Sequence, residues 1–410
     1  MSEGASRYRW RFVVAAALAA GLAGTYQFVW PVLRDPIVTE SGASSVTIGT
    51  VFTVLVVTQT LAAFPSGWVR DRVGPRIPML VATLFVVVGY AGVALVPGVP
   101  ELYLWFAIGG AGVGIAYNVA INTPAEWFRT RRGLTTGVVS MSFSLTSFVL
   151  VPVLRWSVHA DYAATMLALA AAAGATSLLA ALVLRDPTPG GGAVDATATD
   201  GGTRPVGDDA SAEPERVVPW RAMIRTREFW LLYAIFVAVN GVGLMVLEKA
   251  VTYGSQLGFT GAQATAAAAV IALGQGMGVL FGGAASDKLG PKRTIAGSLF
   301  LSGIAVCGIV SADQLGLGWV FVACVGLVMF FRSPAFGILP GVVNQRYGQA
   351  YASENYGVML TAKLWGGVFG GTLTSLLVAR VGWSATFLVG AALALGVGAL
   401  ALVAFHRETA

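Results

Sequence analysis

Two cations sit where an apolar chain has least use for them. Arg332 lies in "VMFFRSPAFGILP" (328–340) and Lys363 in "ENYGVMLTAKLWGG" (354–367), each inside an apolar run long enough to cross a bilayer. An arginine or lysine at the centre of a membrane helix costs about 2.5–3.5 kcal/mol on insertion scales, and much more on an isolated helix. Such a residue must face protein or a water-filled cavity. None of the 20 acidic residues falls at the centre of an apolar run. Glu248 comes nearest, at the expected outer end of span seven beside Lys249. A buried charge without a partner is costly, and an anion that enters and leaves can supply one. The pair therefore points to binding of a small carboxylate. The opposing reading is that both cations hydrogen-bond to backbone carbonyls or water and serve packing alone.

Polar and aromatic residues on other apolar runs are candidates to shape such a site. Tyr26, Gln27 and Trp30 stand on the first, Tyr117, Asn118 and Asn122 on the fourth, Gln275 on the eighth and Trp365 beside Lys363. Tyr26 and Trp30 are four apart, as are Asn118 and Asn122, so each pair shares a helix face. Each aromatic also has a plain role as packing or interfacial anchor, and Gln275 as a helix-packing hydrogen bond. Lys249 is expected to snorkel to the outer interface, with a gate charge as the alternative. Cys307 and Cys324 lie in apolar runs and read as small packing residues.

The elements that must position these residues follow from composition. Of 410 residues, 56% are hydrophobic and 11% charged, less than half the charge usual in a soluble domain, about 25%. Apolar stretches of about 20 residues, each able to span roughly 30 Å as a helix, recur along the chain. We place twelve spans at 12–33, 46–69, 76–96, 102–124, 133–154, 162–184, 229–250, 262–285, 294–311, 318–342, 356–379 and 383–404. The expected architecture is an all-α polytopic membrane protein: a six-helix unit (1–184), a linker (185–228) and a second six-helix unit (229–410). The linker, "PTPGGGAVDATATDGGTRPVGDDASAEPER", has almost nothing to bury and is expected to be a disordered connector.

With the N-terminus inside, 20 of the 26 lysines and arginines fall in cytoplasmic segments and four, Arg34, Arg155, Lys249 and Arg380, in outer ones. This bias places both termini in the cytoplasm of a cell-membrane protein. The net charge of +6 is spread over short loops rather than one solvated face, so nucleic acid is not an expected partner. No catalytic triad, metal cluster or phosphate loop appears, so neither an enzyme nor a cofactor is expected, and the chain is expected to be monomeric.

The two units repeat one another. "GWVRDRVGPR" (67–76) follows span two and "GAASDKLGPKR" (283–293) follows span eight, with Asp71 and Asp287 216 residues apart. Pro124 and Pro340, near the ends of spans four and ten, show the same offset. Two landmarks at one offset indicate a tandem duplication, and parallel repeats of this kind place a site between the halves near mid-membrane. The glycine-aspartate-base-glycine-proline loop after spans two and eight of a 6+6 chain resembles the major facilitator superfamily. Asp71 and Asp287 can accept hydrogen bonds at helix N-termini. Arg72, Arg76, Lys288 and Arg293 can lock onto carboxylates or helix C-termini. Together they would form a latch for one conformation of a rocking cycle; otherwise the bases merely obey the positive-inside rule.

A narrower likeness rests on "GAGVGIAYNVAINTPAEWFRTRRGLTTGV" (110–138) and on the Asn-Tyr-Gly and Thr-Ala-Lys of "ENYGVMLTAKLWGG". These are similar to the oxalate/formate antiporter branch and its monocarboxylate-transporter relatives. That resemblance implies that Lys363 contacts a substrate carboxylate and that Tyr117 lies at the site. Oxalate-type members also carry an arginine on span eight; here that slot, near Val279, is apolar, and the second cation is Arg332 on span ten. The expectation is therefore alternating-access transport of a mono- or dicarboxylate by anion exchange. Proton-coupled symport is the nearest alternative; it commonly needs a titratable acid inside the membrane, and only Glu248 comes close. A drug exporter would carry a buried acid and a glycine-proline motif on span five, and this sequence has neither. A non-transporting sensor would add a folded soluble domain, for which the linker is too short.

Overall fold

The computed structural model describes residues 3–96, 98–128, 132–186, 218–348 and 352–407. Most of the expected linker, 187–217, lies outside them. Among the described residues there is no strand. Twelve helices are long and apolar enough to cross a membrane, which is how a backbone in hydrocarbon satisfies its own polar groups. The first six are Tyr8–Phe28, Ser45–Arg70, Arg76–Leu95, Val99–Trp127, Leu134–Ala160 and Tyr162–Val183. The last six are Arg227–Gln256, Gly261–Leu289, Pro291–Gln314, Gly318–Tyr347, Asn355–Val381 and Trp383–Phe405. We number these spans one to twelve. The end of the molecule that carries the chain termini is its near end, the other its far end.

Within each set of six the helices pack mainly on one another. Between the sets, span two lies along span eleven, span five along span eight, and the helix Trp30–Ser41 along span seven. The last is a departure from the expected layout. Pro31 cannot donate a backbone hydrogen bond, so the first helix breaks at Val29 and a second one, Trp30–Ser41, continues to the far end. Span seven also runs on to Gln256, beyond the expected 250.

Two further breaks matter. Span ten is divided into Gly318–Arg332 and Pro334–Tyr347, because Pro334 has no N–H to donate to the preceding turn, although Ser333 between them keeps helical torsions (φ −79°, ψ −25°). Span eight packs closely along this break. A Cβ on Gly274, Gly278 or Gly282 would come within 2.5, 2.1 and 2.5 Å of Gly326, Phe330 and Pro334 of span ten. Small residues every fourth position let two helices approach this closely. Span eleven is interrupted at Thr361 and opens into a π turn over Phe369–Leu373. Both expected cations thus sit on broken helices.

After the linker the chain re-enters through a short helix, Trp220–Met223. Just before it, the Val218 N–H donates to the Tyr347 carbonyl at 3.1 Å. The Val218 carbonyl accepts from Asn355 Nδ2 at 2.9 Å.

Candidate functional site

Arg332 ends the first half of span ten, where the chain bends, and is 2% exposed. Its side chain lies against span seven at Gly243, where any Cβ would come within 2.1 Å of the Arg332 Cδ and Nη1. A glycine there is what leaves the slot open. The guanidinium carbon stands 5.0 Å from the centroid of the Phe336 ring, a cation–π contact of modest strength. Nε and Nη1 are buried with no hydrogen-bond partner among the described residues. Ser333, next in the chain, donates to Gln275 Oε1 of span eight at 3.0 Å, which holds that amide beside the bend.

Lys363 sits on the seven-residue helix Ala362–Val368 in the middle of span eleven. Its Nζ donates across to the first six spans, to Gln59 Oε1 on span two at 3.2 Å and to Gln27 Oε1 on span one at 3.4 Å. Both amides are nearly inaccessible to solvent, whereas Lys363 itself is partly buried. Arg332 is close enough for its charge to act on Lys363, and among the described residues neither pairs with a carboxylate. Lys363 is thus held by two neutral amides, and the nearby guanidinium adds like charge.

Trp30 is fully buried between Phe52 and Phe106, with centroids 5.1 and 5.2 Å away, and its Nε1 donor has no partner among the described residues. Tyr26 also packs on Phe106, so the two share a face despite the break between them. The Tyr26 hydroxyl is committed to the Val86 carbonyl at 2.8 Å, and its ring stacks on Tyr90 at 3.8 Å. Asn118 ties span four to span two through the Ala63 carbonyl at 3.0 Å. Tyr117 shares a hydrogen bond with Ser140 at 3.3 Å and lies near Tyr356 of span eleven. The structure thus brings Arg332 and Lys363 together with Gln27, which was noted as a neighbour, and Gln59, which was not. It spends the polar groups of Tyr26 and Asn118 inside the first six spans. A lone amide in "VVTQTLAAFP" was the signal for Gln59. Trp365 is 59% exposed and turns away from the interior.

The far end corrects an expectation. Lys249 does not snorkel: it is fully buried, as are Glu248 and Arg34 to within a few per cent. Arg34 Nε meets Glu248 Oε1 at 3.0 Å, and Lys249 Nζ stands 2.9 Å from Glu248 Oε2. Arg34 also donates to Thr252 at 3.2 Å and to Ser45 at 2.7 Å, and pairs with Asp35 at 3.2 Å. The added helix 30–41 covers span seven at this level. These charges are stable in the interior because they are matched, and they join the two sets of spans.

The near end differs. Arg70 pairs with Glu126 at the end of span four, and at 2.8 Å with Asp186, three residues past the end of span six. Lys292 and Arg346 both reach Glu228 within the last six. Among the expected latch residues, Arg72 stacks on Trp68 at 3.5 Å, and Arg76 lines a shallow cleft with Asp186. Asp287, Lys288 and Arg293 are exposed; the side chain of Asp71 lies outside what the structure describes. In the first repeat the ion pairs are made by Arg70, one residue before Asp71.

The family model of the Major Facilitator Superfamily matches residues 13–248 and 243–410. The chain belongs to the Major Facilitator Superfamily. It is a multi-pass membrane transporter, not an enzyme. An oxalate:formate antiporter of Oxalobacter formigenes is 28% identical over 389 residues, covering 95% of this chain and 89% of that protein. An uncharacterised 38 kDa protein of Thermoproteus tenax, from a 23S RNA operon, is 30% identical and covers 93% and 91%. A probable nitrate/nitrite transporter, NarK2, of Mycobacterium tuberculosis is 27% identical over 62% of this chain and 60% of its own. In three dimensions the chain matches the xylose transporter XylE from E. coli in a partially occluded, inward-open conformation. The TM-score is 0.71 at 12% identity, over 96% and 98% of the two chains, which speaks to the fold alone.

Proposed function

We propose that this superfamily member carries a small mono- or dicarboxylate by alternating access, exchanging one anion for another, across a cell membrane with both termini cytoplasmic. The observation that carries the reading is the uncompensated pair: Arg332 with two idle donors, and Lys363 held by neutral amides alone. An arriving carboxylate supplies the missing negative charge, accepting from the guanidinium and the ammonium in charge-assisted hydrogen bonds. The name of the Oxalobacter relative supports the substrate class. Gln27, Gln59, Trp30 and Gln275 are the polar groups nearest this role, and Tyr117 faces the last six spans at Tyr356. Tyr26 and Asn118 serve it by fixing the wall behind.

Exchange is favoured over proton symport by the fate of Glu248. The acid best placed to trade a proton is already gripped by Arg34 and Lys249. An empty carrier would have to turn over with two like charges facing each other; a loaded one is neutralised. The two six-helix units, 1–184 and 229–410, would rock about this centre, with the 67–76 and 283–293 loops latching the near end.

Thermal stability of the purified chain tests the binding step, since a ligand that binds the folded state raises its midpoint. Oxalate, formate and other short carboxylates should raise it, and nitrate and nitrite should raise it less. The shift should vanish in R332Q and K363Q. A carboxylate shift that survives in both variants would discard the reading.

A further inference from the structure

Span eleven is wedged between the two sets of helices by a glycine ribbon, "LWGGVFGG" (364–371). A Cβ on Gly366 or Gly370 would come within 2.3 Å of Asn240 and 2.7 Å of Leu244 on span seven. A Cβ on Gly367 or Gly371 would come within 2.8 Å of Val56 and 2.3 Å of Thr53 on span two. In each Gly-Gly step the first glycine faces its own set and the second faces the opposite set. Lys363 stands just before this ribbon. Its helix, Ala362–Val368, has an interruption at Thr361 on one side and the π turn Phe369–Leu373 on the other. It is a short rod with a joint at each end.

Single π turns are rare and frequently mark functional sites, and this one is braced from outside its own helix. Thr53 Oγ1, on span two, accepts the backbone N–H of Thr372 at 2.9 Å. The same hydroxyl lies 3.0 Å from the Gly367 carbonyl, just before the turn, and 3.0 Å from Thr372 Oγ1 within it. Its alternative acceptor, the Gly49 carbonyl of its own helix, is 3.2 Å away. Thr53 thus reaches both edges of the irregular turn next to Lys363, while Thr50 of the same span touches only one, accepting from Thr372 Oγ1 at 3.3 Å.

We propose that Thr53 is a positioning residue for Lys363: by bracing the π turn while the far end is closed, it sets the direction in which the ammonium points. When spans two and eleven part, the brace leaves, Phe369–Leu373 closes to α-helix, and the rod turns by on the order of 100°, the angle of one α-helical residue. Opening the far end then re-aims Lys363 away from Gln27 and Gln59. This links the gate to the site through one hydroxyl. The transport consequence rests on the carboxylate reading of Lys363; the structural consequence does not.

Two readouts on the full chain in liposomes separate them. Trp365, two residues after Lys363, is exposed on the outside. A nitroxide at W365C, with Cys307 and Cys324 replaced by serine, therefore reports rotation of the rod as oxygen accessibility. T53V, which keeps the shape and removes the hydroxyl, should lower that accessibility and raise the KM for potassium oxalate exchange about tenfold. T53S should behave as the unsubstituted chain, which a packing role for the methyl group would not give. T53A provides a second hydroxyl-free variant should T53V fold poorly. A label unmoved by loss of the hydroxyl overturns the proposal, whatever transport does. A label that moves while KM stays put and K363Q is inactive overturns the link to Lys363. A label that moves while K363Q transports normally keeps the brace and removes the carboxylate reading instead.

Discussion

The molecule buries two groups of charged side chains and treats them in opposite ways. At the far end Arg34, Glu248 and Lys249 are closed off together, with Thr252 and Ser45 taking donors of Arg34. Arg332 and Lys363 are held by a ring face and two amides, and among the described residues no carboxylate pairs with them. The same chain that can surround a buried glutamate with two cations leaves two cations without a glutamate. Burial alone therefore does not explain the central pair. A matched cluster can hold two surfaces together, while an unmatched one leaves an electrostatic deficit, which under the proposed function the cargo anion fills.

The sharpest way to break this contrast is to unmatch the far end. E248Q leaves Lys249 buried without its counter-charge and Arg34 with only the largely exposed Asp35, and should cost about 3 kcal/mol of stability. The midpoint of thermal unfolding in detergent reads that loss. Replacing all three residues together, as R34M/E248L/K249M, should restore most of it, because apolar residues of similar volume commonly substitute for a buried ion cluster at little cost. At the centre the sign should reverse. R332Q should reduce anion exchange by about 100-fold, equivalent to roughly 2.7 kcal/mol, with an unfolding midpoint equal to or above that of the unsubstituted chain. Counterflow in liposomes alongside the melting curve checks both halves of that statement.

Smaller changes sharpen it further. Q59L removes one of two amide acceptors from Lys363 and should raise the KM for exchange about tenfold, with the maximal rate less affected, as expected for lost binding rather than lost turnover. W30F removes a donor that has no partner among the described residues, so no hydrogen bond among them is lost. Its effect on stability should be under about 0.5 kcal/mol, within the range of neutral substitutions. An unfolding midpoint several degrees lower would show that the indole nitrogen has an internal role.

The fold was legible because hydropathy and the repeated loop are written at the scale of whole spans. Arg332 and Lys363 stood out for the same reason, each being a charge in an apolar run. What stayed hidden depended on which residues meet across helices. Glu248 and Lys249 looked like an interfacial pair because span seven seemed to end at 250. Only the break at Pro31 and the extra helix after it bring Arg34 over them. Gln59 is one polar residue in an ordinary apolar run, and nothing local says that it reaches a lysine some 300 positions later. Arg70 read as one more interior-side base, although its carboxylates come from the ends of two other helices.

The anchorage of Val218 has a mechanical corollary. Its N–H is bonded to the last residue of span ten and its carbonyl to the first residue of span eleven. Those two helices carry the guanidinium and the ammonium. Any pull transmitted along the connector between the two six-helix sets therefore arrives first at the hairpin bearing both charges. The tether is fastened to the helices of the two buried cations rather than to the frame.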